Sequence, residues 1–315
     1  MNVVMVNDCA FVGETLIKYL PKEFNVTHIK RSRTLIDKTV GIAWKIWRSK
    51  GSLYHVHYLL QDCYIALKLG KKPVIGHAHG SDLREALNSK KWGWIVEYNL
   101  KNCEKILVAQ PTILEVAKEY NATSEYFPIP YDPELFYPKP LPEERNAKQV
   151  LLASPNDFKV KGTDKLFYAC SMVKVPFKLK AVNYGRDSEK AQILARTLGL
   201  NVEFVGKKPH SEVNKLYWEA DIVLGSFGVG QLDTVAIEAM ACGRPVIHHV
   251  LKKYFSQCPL EEFHSVEEVA ERITELLTDK EKAKEKCKRQ LEYVTTVHEA
   301  DKLTERLTQI YKTYF

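Results

Sequence analysis

Seven cysteines are scattered through this 315-residue chain, and no two of them form a Cys-x-x-Cys pair. That gives no zinc knuckle and no sign of a disulfide framework; reduced thiols in a cytosolic protein fit the pattern. His-Glu-x-x-His and Asp-x-Asp are both missing, so a metal-dependent mechanism has no motif behind it. Neither a metal nor another cofactor is expected. No apolar run reaches the roughly 20 residues of a membrane span, and no basic-plus-apolar leader opens the chain. The expected location is cytoplasmic. The Gly-x-Gly-x-x-Gly fingerprint of dinucleotide enzymes is absent as well. The glycines at 225, 228 and 230 have the wrong spacing, and the first apolar strand runs into Asn7-Asp8-Cys9 instead.

What is present is apolar and periodic. Hydrophobic residues make up 45% of the chain, enough for large cores and against global disorder. In the first half, short apolar runs at 3–6, 26–29, 54–58, 73–77 and 105–109 alternate with helical patterns such as 12–20 and 112–119. The second half repeats the plan with runs at 150–153, 177–182, 202–205, 221–224 and 246–250. This alternation predicts βαβ units and a parallel sheet in each half. The expected fold class is α/β, with two Rossmann-like parallel-sheet domains facing a cleft and C-terminal helices. The Pro-rich segment 138–145 reads as the linker, giving domains over 1–140 and 141–300 and a final helix over 301–315. Beyond Ser265 the chain is helical and charged, and 279–289 reads as a solvated helix face.

Three segments carry candidate chemistry. In 226–247 a Gly-rich loop opens a short helix and an apolar strand follows. Gly228 and Gly230 are suited to positive φ and to close approach by a ligand. Asp233 or Thr234 is the candidate N-cap, and Gly243 the candidate residue after the helix end. The first-turn N–H groups lack partners within the helix and suit a diphosphate. Glu238 lies one to two turns in, either solvated or within reach of ligand hydroxyls. In 150–163 a strand, a polar loop and a helix start place Lys161-Gly162 between two elements. A lone loop lysine is ordinarily solvated. Finally, His77-Ala78-His79-Gly80-Ser81-Asp82 ends an apolar run, and ligands of open α/β sheets bind at such strand ends. His79 is the candidate there, and His77 reads as an inward strand residue.

Together these segments resemble the family 4 retaining glycosyltransferases, which have the GT-B fold, and the resemblance runs along nearly the whole chain. It implies a catalytic set of Lys161, His79 and Glu238. Lys161, with Lys159 or Asn156, would hold the donor diphosphate, although Asn156 stands where the family usually has Arg. His79 would contact the donor sugar and Glu238 the ribose. Gly206, Lys207 and Pro209 lie in the loop whose backbone reads the base. Gly230, Gln231, Leu232 and Asp233 would line the donor, and Gly13 would mark the acceptor side. The family normally has two glutamates separated by seven residues; Glu238 matches the second, but Gly230 replaces the first. Asp233 is the candidate substitute. The reaction implied is transfer of a sugar from a nucleotide sugar to a hydroxyl or lipid-linked glycan acceptor, with retention of configuration by a front-face mechanism. Loss of the first glutamate keeps open a non-catalytic relative that binds nucleotide sugar or glycan.

Residues 30–72 hold ten Lys or Arg and only two acids. Among them Trp44 and Trp47 are three apart, on one side of a helix, and Lys45, Arg48 and Lys50 border them. Such a helix either lies on an anionic membrane surface, bringing the enzyme to a lipid-linked acceptor, or buries its tryptophans in a core. No nucleic-acid motif accompanies the charge, so nucleic acid is not an expected partner.

Overall fold

The computed structural model describes residues 1–31, 40–143 and 147–315. The chain forms two compact units, Met1–Pro130 with Glu299–Phe315, and Tyr131–His298. Arg33, Asp37 and Lys38 of the basic stretch, and Glu144 and Arg145 of the Pro-rich segment, lie outside the described residues.

The first unit alternates as its apolar runs require. Its elements are β1 (Asn2–Val6), α1 (Val12–Tyr19), β2 (Asn25–Ile29), α2 (Ile42–Arg48), β3 (Leu53–His57), α3 (Gln61–Lys68), β4 (Val74–Ala78), α4 (Gly93–Asn102), β5 (Lys105–Val108), α5 (Leu114–Tyr120) and β6 (Glu125–Tyr126). All strand pairings are parallel, in the order β2-β1-β3-β4-β5-β6. Alternation sends Val4, Val6, Tyr54, Val56, Val74, Ile106 and Val108 into one apolar core. By the same alternation Met5, His55, His57 and His77 belong to the opposite face.

The second unit contains β7 (Lys148–Leu152), α6 (Thr163–Met172), β8 (Phe177–Val182), α7 (Ser188–Thr197), β9 (Val202–Val205), α8 (His210–Glu219), β10 (Ile222–Leu224), α9 (Thr234–Ala241), β11 (Val246–Ile247), α10 (Val266–Thr278) and α11 (Lys280–Val297). Its sheet is also parallel, in the order β11-β10-β7-β8-β9. The last helix, α12 (Ala300–Lys312), belongs to the first unit, where the Tyr311 hydroxyl meets His55 Nδ1 at 2.6 Å.

Two parallel-sheet α/β domains are thus present, as the doubled pattern predicts. Two details differ. The Pro-rich stretch is anchored at its start, because the fully buried Arg244 donates to the carbonyls of Lys139 and Pro140. A buried guanidinium needs such acceptors. The polar run at 279–289 is also not wholly solvated: the Lys286 side chain is nearly buried and pairs with Glu261. One residue beyond the run, Gln290 is fully buried and bonds both backbone groups of Val246 at 2.8 Å.

Candidate functional site

Each sheet has one place where the strand order reverses, and ligands of open α/β sheets bind at such switch points. In the second unit this is the β7/β10 pair. The loop after β7 carries Lys161, and the loop after β10 runs into α9. These loops dock backbone to backbone: Phe227 N–H donates to Lys161 O at 2.7 Å and Val229 N–H to Val160 O at 3.2 Å. The docking explains Gly228. A Cβ there would lie 1.9 Å from Val160 O, and its φ is not positive, so it makes room for protein backbone and not for a ligand. Gly230 does take positive φ, at 68°.

Asp233 is the N-cap of α9, its Oδ1 accepting from Ala236 N–H at 3.0 Å. Its Oδ2 holds Lys161 Nζ at 2.6 Å. Burial pushes the Asp233 carboxyl up, but the Lys161 ammonium, His248 and the Ala236 N–H outweigh it and hold it at about 2. His248, absent from the sequence reading, joins the two sides of this loop. Its Nδ1 accepts from Ser226 N–H at 2.9 Å, so its Nε2 carries the proton and donates to Gln231 O at 2.9 Å. Leu232 is buried, whereas Gln231 is partly open.

Glu238 is buried on α9, and both its oxygens have protein partners. His210 Nε2 is 2.7 Å from Oε1, and the Tyr217 hydroxyl donates to Oε2 at 3.0 Å. Burial raises its carboxyl above the usual range, against the pull of His210 and Tyr217. Asn156 is turned into the core. Its amide donates to Val182 O at 2.7 Å, and its Oδ1 is buried without a partner. Lys159 is exposed on the same loop, as are Gly206, Lys207 and Pro209 between β9 and α8.

In the first unit the reversal lies between β1 and β3. The loop after β1 is strained: Asn7, Ala10 and Phe11 have φ of 65°, 48° and 65°, and Tyr58 beyond β3 has 67°. Non-glycine residues in this region cluster at functional sites. Asp8 holds the loop by accepting from Cys9 N–H at 2.6 Å and Gly13 N–H at 2.8 Å. Cys9 Sγ donates to the Tyr58 hydroxyl at 3.0 Å.

His79 stands at the end of β4. Asp82, expected among ligand-facing groups, is instead buried and gathers the N–H groups of His79 at 3.1 Å and Gly80 at 2.9 Å. His79 belongs to a two-by-two array of imidazoles. His55 Nε2 meets His77 Nδ1 at 3.2 Å, and His57 Nδ1 meets His79 Nε2 at 2.9 Å. The pairs stack, His55 on His57 at 4.8 Å and His77 on His79 at 4.5 Å. Burial lowers all four, His55 and His79 to about 3, so the array is neutral. His55, His57 and His77 bring ring nitrogens within 4.8 Å of one another. They do not fit one metal ion, because the His55 and His57 planes are stacked within 12° and their lone pairs run side by side.

Trp44 and Trp47 are 53% and 62% exposed, while Ile42 and Ile46 take the buried side of α2. Arg48 lies over the Trp44 ring at 4.7 Å. Among the described residues no helix is long and apolar enough to cross a membrane.

Two parallel-sheet units with loops of this kind define a class, the GT-B fold. Sucrose-phosphate synthase from Thermosynechococcus elongatus has the same fold over 99% of both chains, with a TM-score of 0.79 and 17% identity. HepE of Anabaena, solved in complex with UDP-glucose, has a TM-score of 0.79 and 14% identity over 99% of this chain and 100% of that one. Residues 139–293 of the chain match the family described as Glycosyl transferases group 1. An uncharacterized glycosyltransferase of Methanocaldococcus jannaschii is 26% identical over 242 residues, 71% of this chain. The match spans 64% of that relative, under two thirds of its length.

Proposed function

We propose that the protein is a glycosyltransferase that moves a sugar from a nucleotide sugar to a hydroxyl acceptor with retention of configuration, as in the family 4 enzymes it resembles. The observation that carries this reading is the pairing of Lys161 with the N-terminus of α9 at the β7/β10 switch point. A diphosphate entering there would displace the Asp233 carboxylate from Lys161. The ammonium and the N–H groups at Gln231–Asp233 would then neutralise the leaving group, with Lys159 adding charge. Stabilising the charge that develops on a leaving group is commonly the largest single catalytic effect. Asp233, once displaced, is placed to accept a sugar hydroxyl in the role of the missing glutamate. Glu238 would exchange His210 or Tyr217 for the ribose hydroxyls, and His79 would orient the donor sugar. Complexes of HepE with UDP and with UDP-glucose favour a nucleotide sugar as the donor class. Thermal-shift screening with UDP, GDP, ADP and their sugars tests binding. A ligand at about 100 times its dissociation constant stabilises by about 2.7 kcal/mol. No shift with any of them would remove the donor site.

One observation favours a second reading, a non-catalytic binder: Lys161 and Glu238 are both satisfied by protein groups. Release of nucleoside diphosphate separates the two.

The acceptor we propose is lipid-linked, reached by a cytoplasmic enzyme resting on the membrane face. Support comes from the two exposed tryptophans of α2 beside Lys45 and Arg48. Vesicles of anionic lipid should sediment the protein at low salt. Replacing Trp44 and Trp47 together with Ala should cut the bound fraction at least severalfold. Failure of anionic vesicles to retain the wild-type chain would end the membrane proposal and leave the transfer reaction standing.

A further inference from the structure

His57 is fully buried on β3, and its Nε2 has no hydrogen-bond partner. That nitrogen faces the first turn of α1 at Gly13. A Cβ built on Gly13 would lie 3.1 Å from His57 Nε2, 3.2 Å from Asp8 Oδ1 and 3.2 Å from Met5 Sδ. Glycine at 13 thus lets the ring and the carboxylate approach the same point. A neutral imidazole carries one N–H and one lone pair. Were the proton on Nδ1, a bare lone pair at Nε2 would be buried on the side where Asp8 Oδ1 and Met5 Sδ, both acceptor atoms, converge. With the proton on Nε2, an N–H edge instead faces the side of those two acceptors, and this arrangement is the more stable. His57 Nδ1 is then bare and accepts from His79 Nε2–H across their 2.9 Å contact. The consequence passes to His79. Its one proton is committed to His57, and its Nδ1 is left bare, an acceptor.

We propose that His57 is a positioning residue that fixes His79 as the Nε2–H tautomer, so that His79 Nδ1 receives an O–H donated by a hydroxyl of the donor sugar. The ligand half of this rests on the glycosyltransferase reading; the tautomer half does not. The stacking of the array supports it. His77 lies over His79 at 4.5 Å and His55 over His57 at 4.8 Å, and the His57 and His79 planes stay within 22° of each other. The other pair is not a continuation of this one: its hydrogen bonds run from His55 to Tyr311 and His77, so the two rows meet only by stacking. The substrate consequence is specific. A bare nitrogen accepts from a hydroxyl and is repelled by an anionic oxygen, so His79 selects a neutral sugar hydroxyl over a carboxylate at that position.

The test is nitrogen-15 spectroscopy of the histidine rings in the full chain, with His79 assigned by its loss in His79→Asn. The expected result is protonation of His79 at Nε2, not Nδ1, near neutral pH. In His57→Phe the acceptor is gone and His79 should populate both tautomers. His57→Asn should restore the single form, because its side-chain oxygen occupies the place of Nδ1. With the nucleotide sugar that gives the largest thermal shift, His57→Phe should raise the donor KM about tenfold, the worth of roughly one neutral hydrogen bond, and His57→Asn should recover most of it. An Nδ1-protonated His79 in the wild type, or an unchanged tautomer in His57→Phe, would overturn the proposal. If His57→Phe does not fold, the wild-type spectrum decides alone. If no variant and no wild-type protein transfers sugar, the glycosyltransferase reading fails while the ring-nitrogen spectra still decide the role of His57.

Discussion

Lys161→Ala should lower turnover by about 10²- to 10³-fold, with a much smaller rise in the donor KM. In the proposed reaction the ammonium would act on negative charge that grows as the sugar–phosphate bond breaks, so its loss should fall on kcat more than on binding. Its partner complicates the fold side of the experiment in a useful way. Removing Lys161 leaves the Asp233 carboxylate, 15% exposed, without its cation. Asp233 retains the Ala236 N–H and its place at the α9 N-terminus, so the helix should persist. Steady-state kinetics, with circular dichroism as the control for folding, measure both. Turnover at the wild-type rate in a folded Lys161→Ala protein would take Lys161 out of the mechanism.

Gly228→Ala should strongly destabilise the second unit. The new Cβ would sit 1.9 Å from Val160 O and 2.4 Å from its carbonyl carbon, both backbone atoms that no rotamer change can move. Relief requires separating the two loops and breaking the Phe227–Lys161 and Val229–Val160 hydrogen bonds. Overpacking of this kind costs about 3 kcal/mol. For a unit of this size that is a fall in melting temperature on the order of 6–12 °C. Calorimetry reads it directly, and nucleotide binding should weaken in the same variant because Lys161 moves with its loop. A melting temperature within about 1 °C of wild type would show that the loops are not held as described.

The sheet plan was legible because burial on both faces of a parallel strand leaves unbroken apolar runs. Strands β8 and β9 match their runs at both ends, and the others differ by one to three residues at an end. β6, only two residues long, carries too little pattern to find. Asp233 as N-cap was legible because capping is local. The partners of Glu238 were not, since His210 and Tyr217 come from α8, 28 and 21 residues away. Gly228 shows a different limit. Sequence marks that glycine is needed but does not say whether a ligand or another loop comes close. The tryptophans of α2 are a third case: period alone puts them on one side, and only Ile42 and Ile46 filling the core decides which side is wet. The histidine array did leave a trace, in His55-Val56-His57 and His77-Ala78-His79. Alternate histidines in two apolar strands put four rings on one face wherever those strands are neighbours. Recognising that required the β3–β4 pairing, which places His57 opposite His77.

The central claim is that this chain breaks a nucleotide sugar at the Lys161 site. The most direct measurement is release of nucleoside diphosphate from a panel of UDP-, GDP- and ADP-sugars, run with wild-type protein and with Lys161→Ala. Release from at least one donor by the wild type, reduced at least 100-fold in the variant, is the expected result. Donor binding by thermal shift with no release by the wild type, or equal release by both proteins, would contradict it.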